Sequence, residues 1–122
     1  MHHRSTLVLA LFAIAFTPAA CGDPPGKGPK AERGYRRSEP VIAALERYRA
    51  ERGSFPDSLP MLVPRYLPAS ALRVPAAPGE NRPLAYRRID PGYELTFTYF
   101  GPGVNECVYV SIDGKWKCGG HY

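Results

Sequence analysis

Beyond residue 20 the reactive side chains of this chain are few: three thiols (Cys21, Cys107 and Cys118), the serines Ser38, Ser54, Ser58, Ser70 and Ser111, and the imidazole of His121. A serine nucleophile needs a base within hydrogen-bond reach and a third group to orient that base. His121 is the one base on offer to these serines, and no partner for it stands out. Asp57, Asp90 and Asp113 each adjoin Pro, Gly or Ser, the setting in which an Asp side chain caps a turn. Zinc takes about four ligands, more than Cys107, Cys118 and His121 supply. Gly101-Pro102-Gly103 has Pro where a phosphate loop would present an N–H. Catalysis, a metal and a cofactor are therefore not expected. Tyr109, Trp116 and Tyr122 are the side chains suited to stacking on a small ligand or a glycan, although aromatics on strands also serve as ordinary packing.

Those residues lie in a chain of 122 residues, 44% hydrophobic and 22% charged, which suits one domain of about 100 residues. Its 14 Pro and 12 Gly argue against a helical bundle. Residues 1–20 read as an export signal: Arg4 forms a basic start, Leu7 to Phe16 is an unbroken apolar run, and Thr17-Pro18-Ala19-Ala20 supplies small residues. An apolar run of that length covers roughly 15 Å as a helix, about half of a hydrocarbon core, so a signal peptide is expected in preference to a spanning helix. Ala19-Ala20-Cys21 resembles the end of a bacterial lipoprotein signal, which implies lipid on the Cys21 thiol and attachment to a membrane on the periplasmic side of the envelope. Pro18 stands where that signal usually carries Leu, and an ordinary signal releasing a soluble secreted protein is the alternative. Gly22 after Cys21, in place of Asp, resembles the pattern that sorts lipoproteins to the outer membrane.

With Cys21 assigned to lipid, Cys107 and Cys118 remain as an even pair, and an oxidising compartment favours a disulfide between them. Asp113-Gly114 between the two cysteines is a hairpin turn signal. A two-residue turn there places Cys118 opposite Tyr109, so a bulge or a longer turn is needed to bring the thiols together. The formal charge of +5 falls by one when Arg4 is removed, and nucleic acid is not an expected partner outside the cytoplasm.

Residues 21–35 are dominated by Pro, Gly and charge, with no aliphatic side chain larger than Ala, and read as a flexible basic tether. Lys27, Lys30, Arg33, Arg36 and Arg37, against Glu32, make its end basic and would lie near anionic headgroups if Cys21 is acylated; a solvated linker whose charges do nothing specific is the alternative. A globular domain is expected over 36–122. Ser38 can cap a helix with Pro40 in its first turn, and Val41, Ile42, Leu45 and Tyr48 repeat on one face until Gly53. A short helical turn reaches Met61-Leu62, and a long Pro-rich loop follows from Pro68 to Arg82. Tyr93, Leu95, Phe97 and Tyr99 alternate with Glu94, Thr96 and Thr98, the pattern of a half-buried strand. Strands are also expected around Leu84 to Ile89, Glu106 to Ser111 and Trp116 to Cys118. The expected fold is α+β: one amphipathic helix at the start of the domain, packed on a small antiparallel sheet of about four strands.

Ile42-x-x-Leu45-x-x-Tyr48, then Gly53-Ser54-Phe55-Pro56, Leu59-x-x-Leu62-Val63-Pro64 and Tyr66-Leu67-Pro68, resembles the globular domain of type II secretion pseudopilins and related type IV pilin-like proteins over about residues 36–122. The resemblance implies a helix end, a Gly-x-Phe-Pro turn and a loop leading to an antiparallel sheet. It also implies a non-enzymatic role in protein–protein contact, with an envelope or secretion-system protein as partner. The departure lies at the start. No Glu occurs in Met1 to Ala20, no prepilin-type cleavage motif is present, and Pro24, Pro25 and Pro29 interrupt any helix running from the apolar segment. A pilin-like domain on a different anchor is the expectation, without filament assembly through a shared helix. The calcium sites of that family are not carried over to Asn105, Glu106 and Asp113.

Overall fold

The computed structural model describes residues 13–14, 22–73 and 82–121. Helix α1 runs over Pro29–Arg52, and four strands follow in chain order: β1 Ala85–Ile89, β2 Gly92–Phe100, β3 Val104–Val110 and β4 Lys115–His121. Two 3-10 turns, Leu59–Leu62 and Ala69–Leu72, lie between helix and sheet. The class is the expected α+β.

α1 starts earlier than the expected cap at Ser38. Pro29 occupies its first turn, Glu32 complements the positive end of the helix, and Arg49 and Arg52 complement the negative end. Gly53 closes the helix in the left-handed conformation at φ 84°, its N–H bonded to Arg49 O at 2.7 Å. The buried stripe is Ala31, Gly34, Ser38, Val41, Leu45 and Tyr48, spaced alternately by three and four residues, with Ala44 beside it. Its first half consists of small residues, which is why composition alone reads this segment as tether. Ser38 is a buried interior residue, not the cap, and its hydroxyl donates to Gly34 O at 2.8 Å. Pro40 sits inside the helix on its exposed face.

The sheet is an antiparallel meander in the order β1-β2-β3-β4. Its helix-facing side carries Tyr93, Leu95, Phe97 and Tyr99 of β2, all buried as the alternation requires. Leu95 pairs with Tyr86 on one side and Tyr109 on the other. Val110 pairs with Lys115, so the connection is Ser111-Ile112-Asp113-Gly114 and not the two-residue turn. That longer turn sets Cys107 directly opposite Cys118 and Tyr109 opposite Trp116. The two cysteines form a disulfide with their Cα atoms 4.1 Å apart.

Two apolar clusters result. One joins Val41, Leu45 and Tyr48 of α1 to Phe55, Leu62 and Leu95; full burial of a Leu such as Leu45 contributes about 1.5–3 kcal/mol. The Gly53-Ser54-Phe55-Pro56 turn closes this end: the Phe55 ring meets Tyr93 edge to face at 4.8 Å, and Pro56 O accepts the Tyr86 hydroxyl at 2.6 Å. The second joins Ala31, Phe97, Tyr99 and Cys107, with Tyr35, Trp116 and Cys118 packed against it. Every residue of both clusters lies between Ala31 and Cys118, so a chain beginning at Gly22 contains the whole described core. A chain beginning at Arg36 does not.

Candidate functional site

Gly26 organises the backbone that leads into α1. Its φ of 82° lies in the left-handed region, and its backbone is held from two sides: the N–H donates to the Tyr99 hydroxyl at 2.9 Å and the carbonyl accepts the Tyr35 hydroxyl, also at 2.9 Å. The Tyr35 oxygen is also 3.3 Å from Cys118 Sγ. A Cβ at Gly26 would collide with that same sulfur, so only glycine allows the backbone to lie against the disulfide. The backbone is therefore fastened to β2 and to α1 at Gly26, inside the segment expected to be a loose tether. The signal for this was present as Gly26-Lys27-Gly28-Pro29, two positive-φ glycines followed by a helix-starting proline.

Beside this clasp a cavity of about 320 Å³ opens between the start of α1 and the β2–β3 turn. Lys27, Lys30 and Arg33 line it together with Asp23, Tyr99 and Pro102. Lys30 is held by donation from Nζ to Phe100 O at 2.5 Å. Arg82 extends the basic surface, its guanidinium 5.2 Å from the centre of the Phe100 ring, and its carbonyl accepts Arg37 Nη2 at 3.2 Å.

Of the stacking candidates, Tyr109 and Trp116 are brought together, with ring centres 5.3 Å apart and both half-buried. Trp116 also meets Tyr35 and Phe97 edge to face, each at 5.1 Å, so much of its surface is engaged in packing. Tyr122 and Cys21 lie outside the described residues, as does most of the export segment. Among the described residues no helix is long and apolar enough to cross a membrane.

The hydroxyls and carboxylates do structural work. Ser111 Oγ accepts the Tyr93 backbone N–H at 2.7 Å, and His121 is an exposed residue at the end of β4. Arg88 bridges Asp57 and Asp90, each at 2.8 Å, tying the Phe55-Pro56 turn to the β1–β2 turn. Glu51 accepts the Tyr66 hydroxyl at 2.5 Å, which, with Arg65 nearby, holds its carboxyl below the usual range. Burial pushes the Tyr86 phenol up to about 12 and raises that of Tyr93 further. Burial, and then Tyr99 and Glu32, raise that of Tyr35. Among the described residues no group of three or more His, Cys, Asp or Glu side chains is placed to hold a metal ion. No protein-family model, curated protein or solved structure matches the chain.

Proposed function

We propose that this chain is an exported protein of the bacterial envelope, held at a membrane by lipid on Cys21, whose pilin-like domain works by contact with another envelope or secretion-system protein and not by catalysis. The observation that carries the proposal is the nearness in sequence of two parts: the Ala19-Ala20-Cys21 ending of an apolar run, and a backbone already held by Tyr99 and Tyr35 at Gly26. The Gly53-to-Phe55-Pro56 turn, sealed by Tyr93 and Tyr86, supports the likeness to the pilin-like pattern. The serines Ser38 and Ser111, bonded to backbone, add nothing toward a catalytic set.

Cys21→Ser is the test of the anchor. The wild-type chain is expected to take up lipid label and to fractionate with membranes. The variant is expected to lose the label and either to persist as an unprocessed precursor or to appear as a soluble periplasmic form. Unchanged membrane retention of the variant, with residues 1–20 already removed from the wild type, overturns the lipoprotein reading. Recovery of the tethered protein from its native envelope, with identification of the chains that accompany it, tests the contact role; recovery alone under every extraction condition counts against it.

A further inference from the structure

We propose that the open edge of β4 is the contact surface of this domain, and that it takes an extended segment of another protein as an added strand, with apolar residues on the helix side and carboxylates on the other. That the partner belongs to the envelope rests on the function proposed above; the open edge rests on the sheet alone. β4 lies last in the order β1-β2-β3-β4 and pairs with β3 without a break from Val110 opposite Lys115 to Val104 opposite His121. The 4.1 Å between the Cα atoms of Cys107 and Cys118 marks them as one of the close, non-hydrogen-bonded pairs of an antiparallel ladder. By alternation Tyr109 with Trp116 and Asn105 with Gly120 are pairs of the same kind, so Trp116, Cys118 and Gly120 direct their N–H and C=O groups away from β3. Among the described residues no other backbone bonds to them on that side. Such a row of donors and acceptors is a template for an added strand. β4 carries neither the proline nor the bulge that blunts an edge, and a Cβ at Gly119 would meet nothing within 4 Å. The opposite edge differs: β1 is shorter, its Tyr86 hydroxyl donates to Pro56 O and its Arg88 pairs with Asp57, so the Pro56-Asp57 turn is fastened beside it.

The side chains of β4 select the occupant. A residue opposite Trp116 points to the helix side, where the half-buried Trp116 and Tyr35 rings stand 5.1 Å apart, and an apolar side chain there extends their packing. A residue opposite Lys115 or Lys117 points to the other face. Lys115 is exposed and has no ion pair among the described residues. Lys117 shares a solvent-exposed pair with Asp113 at 3.4 Å, a kind that contributes little and yields to a carboxylate set directly across the edge. Glu106 lies opposite Gly119 on that same face, so the partner's carboxylates belong opposite the two lysines and not at Gly119. A second copy is a poor occupant, because β4 carries Lys115, Lys117 and His121 with no carboxylate, and two such edges set lysine near lysine.

The test uses the full chain in detergent micelles, its disulfide intact, with two short end-blocked probe peptides, one alternating Val and Glu and the other alternating Val and Lys. In the free chain the amides of Trp116, Cys118 and Gly120 are expected to exchange faster than those of Lys117 and Gly119, and the Val/Glu peptide is expected to slow them while leaving Tyr86 and Arg88 unchanged. The Val/Lys peptide is expected to bind about tenfold more weakly. Lys115→Glu/Lys117→Glu is expected to reverse that preference, and Gly120→Pro, which removes an outward N–H, is expected to weaken both peptides. Absence of peptide binding, binding without slowing of the Trp116, Cys118 and Gly120 amides, or an unchanged preference in the charge-reversed variant overturns the edge site. Slowing of the same amides with chain concentration alone overturns the choice of partner in favour of a second copy. Should Gly120→Pro lose the wild-type melt, the outcome is read on Lys115→Glu/Lys117→Glu, whose altered side chains are exposed. In the native envelope, a chain that accompanies the wild type is expected to be lost from both variants. One that stays with both overturns this surface and leaves the contact function standing, whereas a wild type recovered alone overturns that function and the peptides still decide the edge.

Discussion

Gly34 shows most directly how one residue decides a contact. In an exposed helix, replacing Gly by Ala stabilises by about 0.5–1 kcal/mol because the unfolded chain loses freedom. Here the Phe97 ring lies where the Cβ would be, so Gly34→Ala is expected to destabilise by about 1–3 kcal/mol. Urea unfolding measures the sign, and a gain in stability would show that the ring yields without cost. Tyr86 makes a second prediction at this scale. Its folded phenol, raised to about 12 by burial, is above the unfolded value of about 10. The associated stability is fully present below about pH 10 and is lost as pH rises toward 12, so alkaline unfolding is expected in that window. Spectrophotometric titration should show the Tyr86 phenolate appearing with unfolding and not before it. Tyr86→Phe, which deletes the bond to Pro56 O, is expected to cost about 1 kcal/mol at neutral pH.

At the scale of elements, the β3–β4 hairpin and the start of α1 form one unit through the disulfide. Cys107 and Cys118 are eleven residues apart, and a loop of that size yields about 2–3 kcal/mol of chain-entropy stabilisation. Cys107→Ala/Cys118→Ala is expected to lower the urea midpoint accordingly. Because Gly26 lies against Cys118 Sγ and shares Tyr35 with it, the same variant should speed amide exchange at Gly26 more than at Leu95. Exchange that stays unchanged at Gly26 while stability falls would separate the clasp from the disulfide.

For the whole molecule, the folded unit reaches closer to Cys21 than a domain over 36–122 would. A chain from Arg36 loses Ala31 from the second cluster, the Tyr35 ring from Phe97 and Trp116, and the Gly26 clasp. Removal of a well-packed aromatic costs about 3–5 kcal/mol, a large share of the stability of a small domain. The chain from Arg36 is therefore expected to melt well below the chain from Gly22. Matching Tm values would return residues 22–35 to the status of a passive tether. The difference matters for the proposed function: were Cys21 acylated, a fold already ordered at Gly26 would stand close in sequence to the anchor, whereas a tether of residues 21–35 would leave the domain free to turn.

The class and much of the architecture were legible in the sequence for identifiable reasons. Tyr93, Leu95, Phe97 and Tyr99 alternate with polar residues because one side of β2 faces the helix and the other faces solvent. Val41, Leu45 and Tyr48 are large enough for their helical spacing to stand out, and Gly53 is the only residue type that closes α1 at φ 84° without strain. The pairing of Cys107 with Cys118 followed from the thiol count, and even the need for a longer turn was visible. The start of α1 was not, because Ala31, Gly34 and Ser38 carry no hydrophobic signal of their own. Their burial comes from what approaches them, Phe97 across Gly34 and Tyr99 beyond Gly26, contacts distant in sequence. Small residues permit close packing but do not announce it, so the same letters serve a tether or a helix until the sheet is in place. The cavity at the start of α1 was hidden for the same reason: Lys27, Lys30 and Arg33 are local in sequence, but Tyr99 and Pro102, which complete its lining, arrive only with the fold.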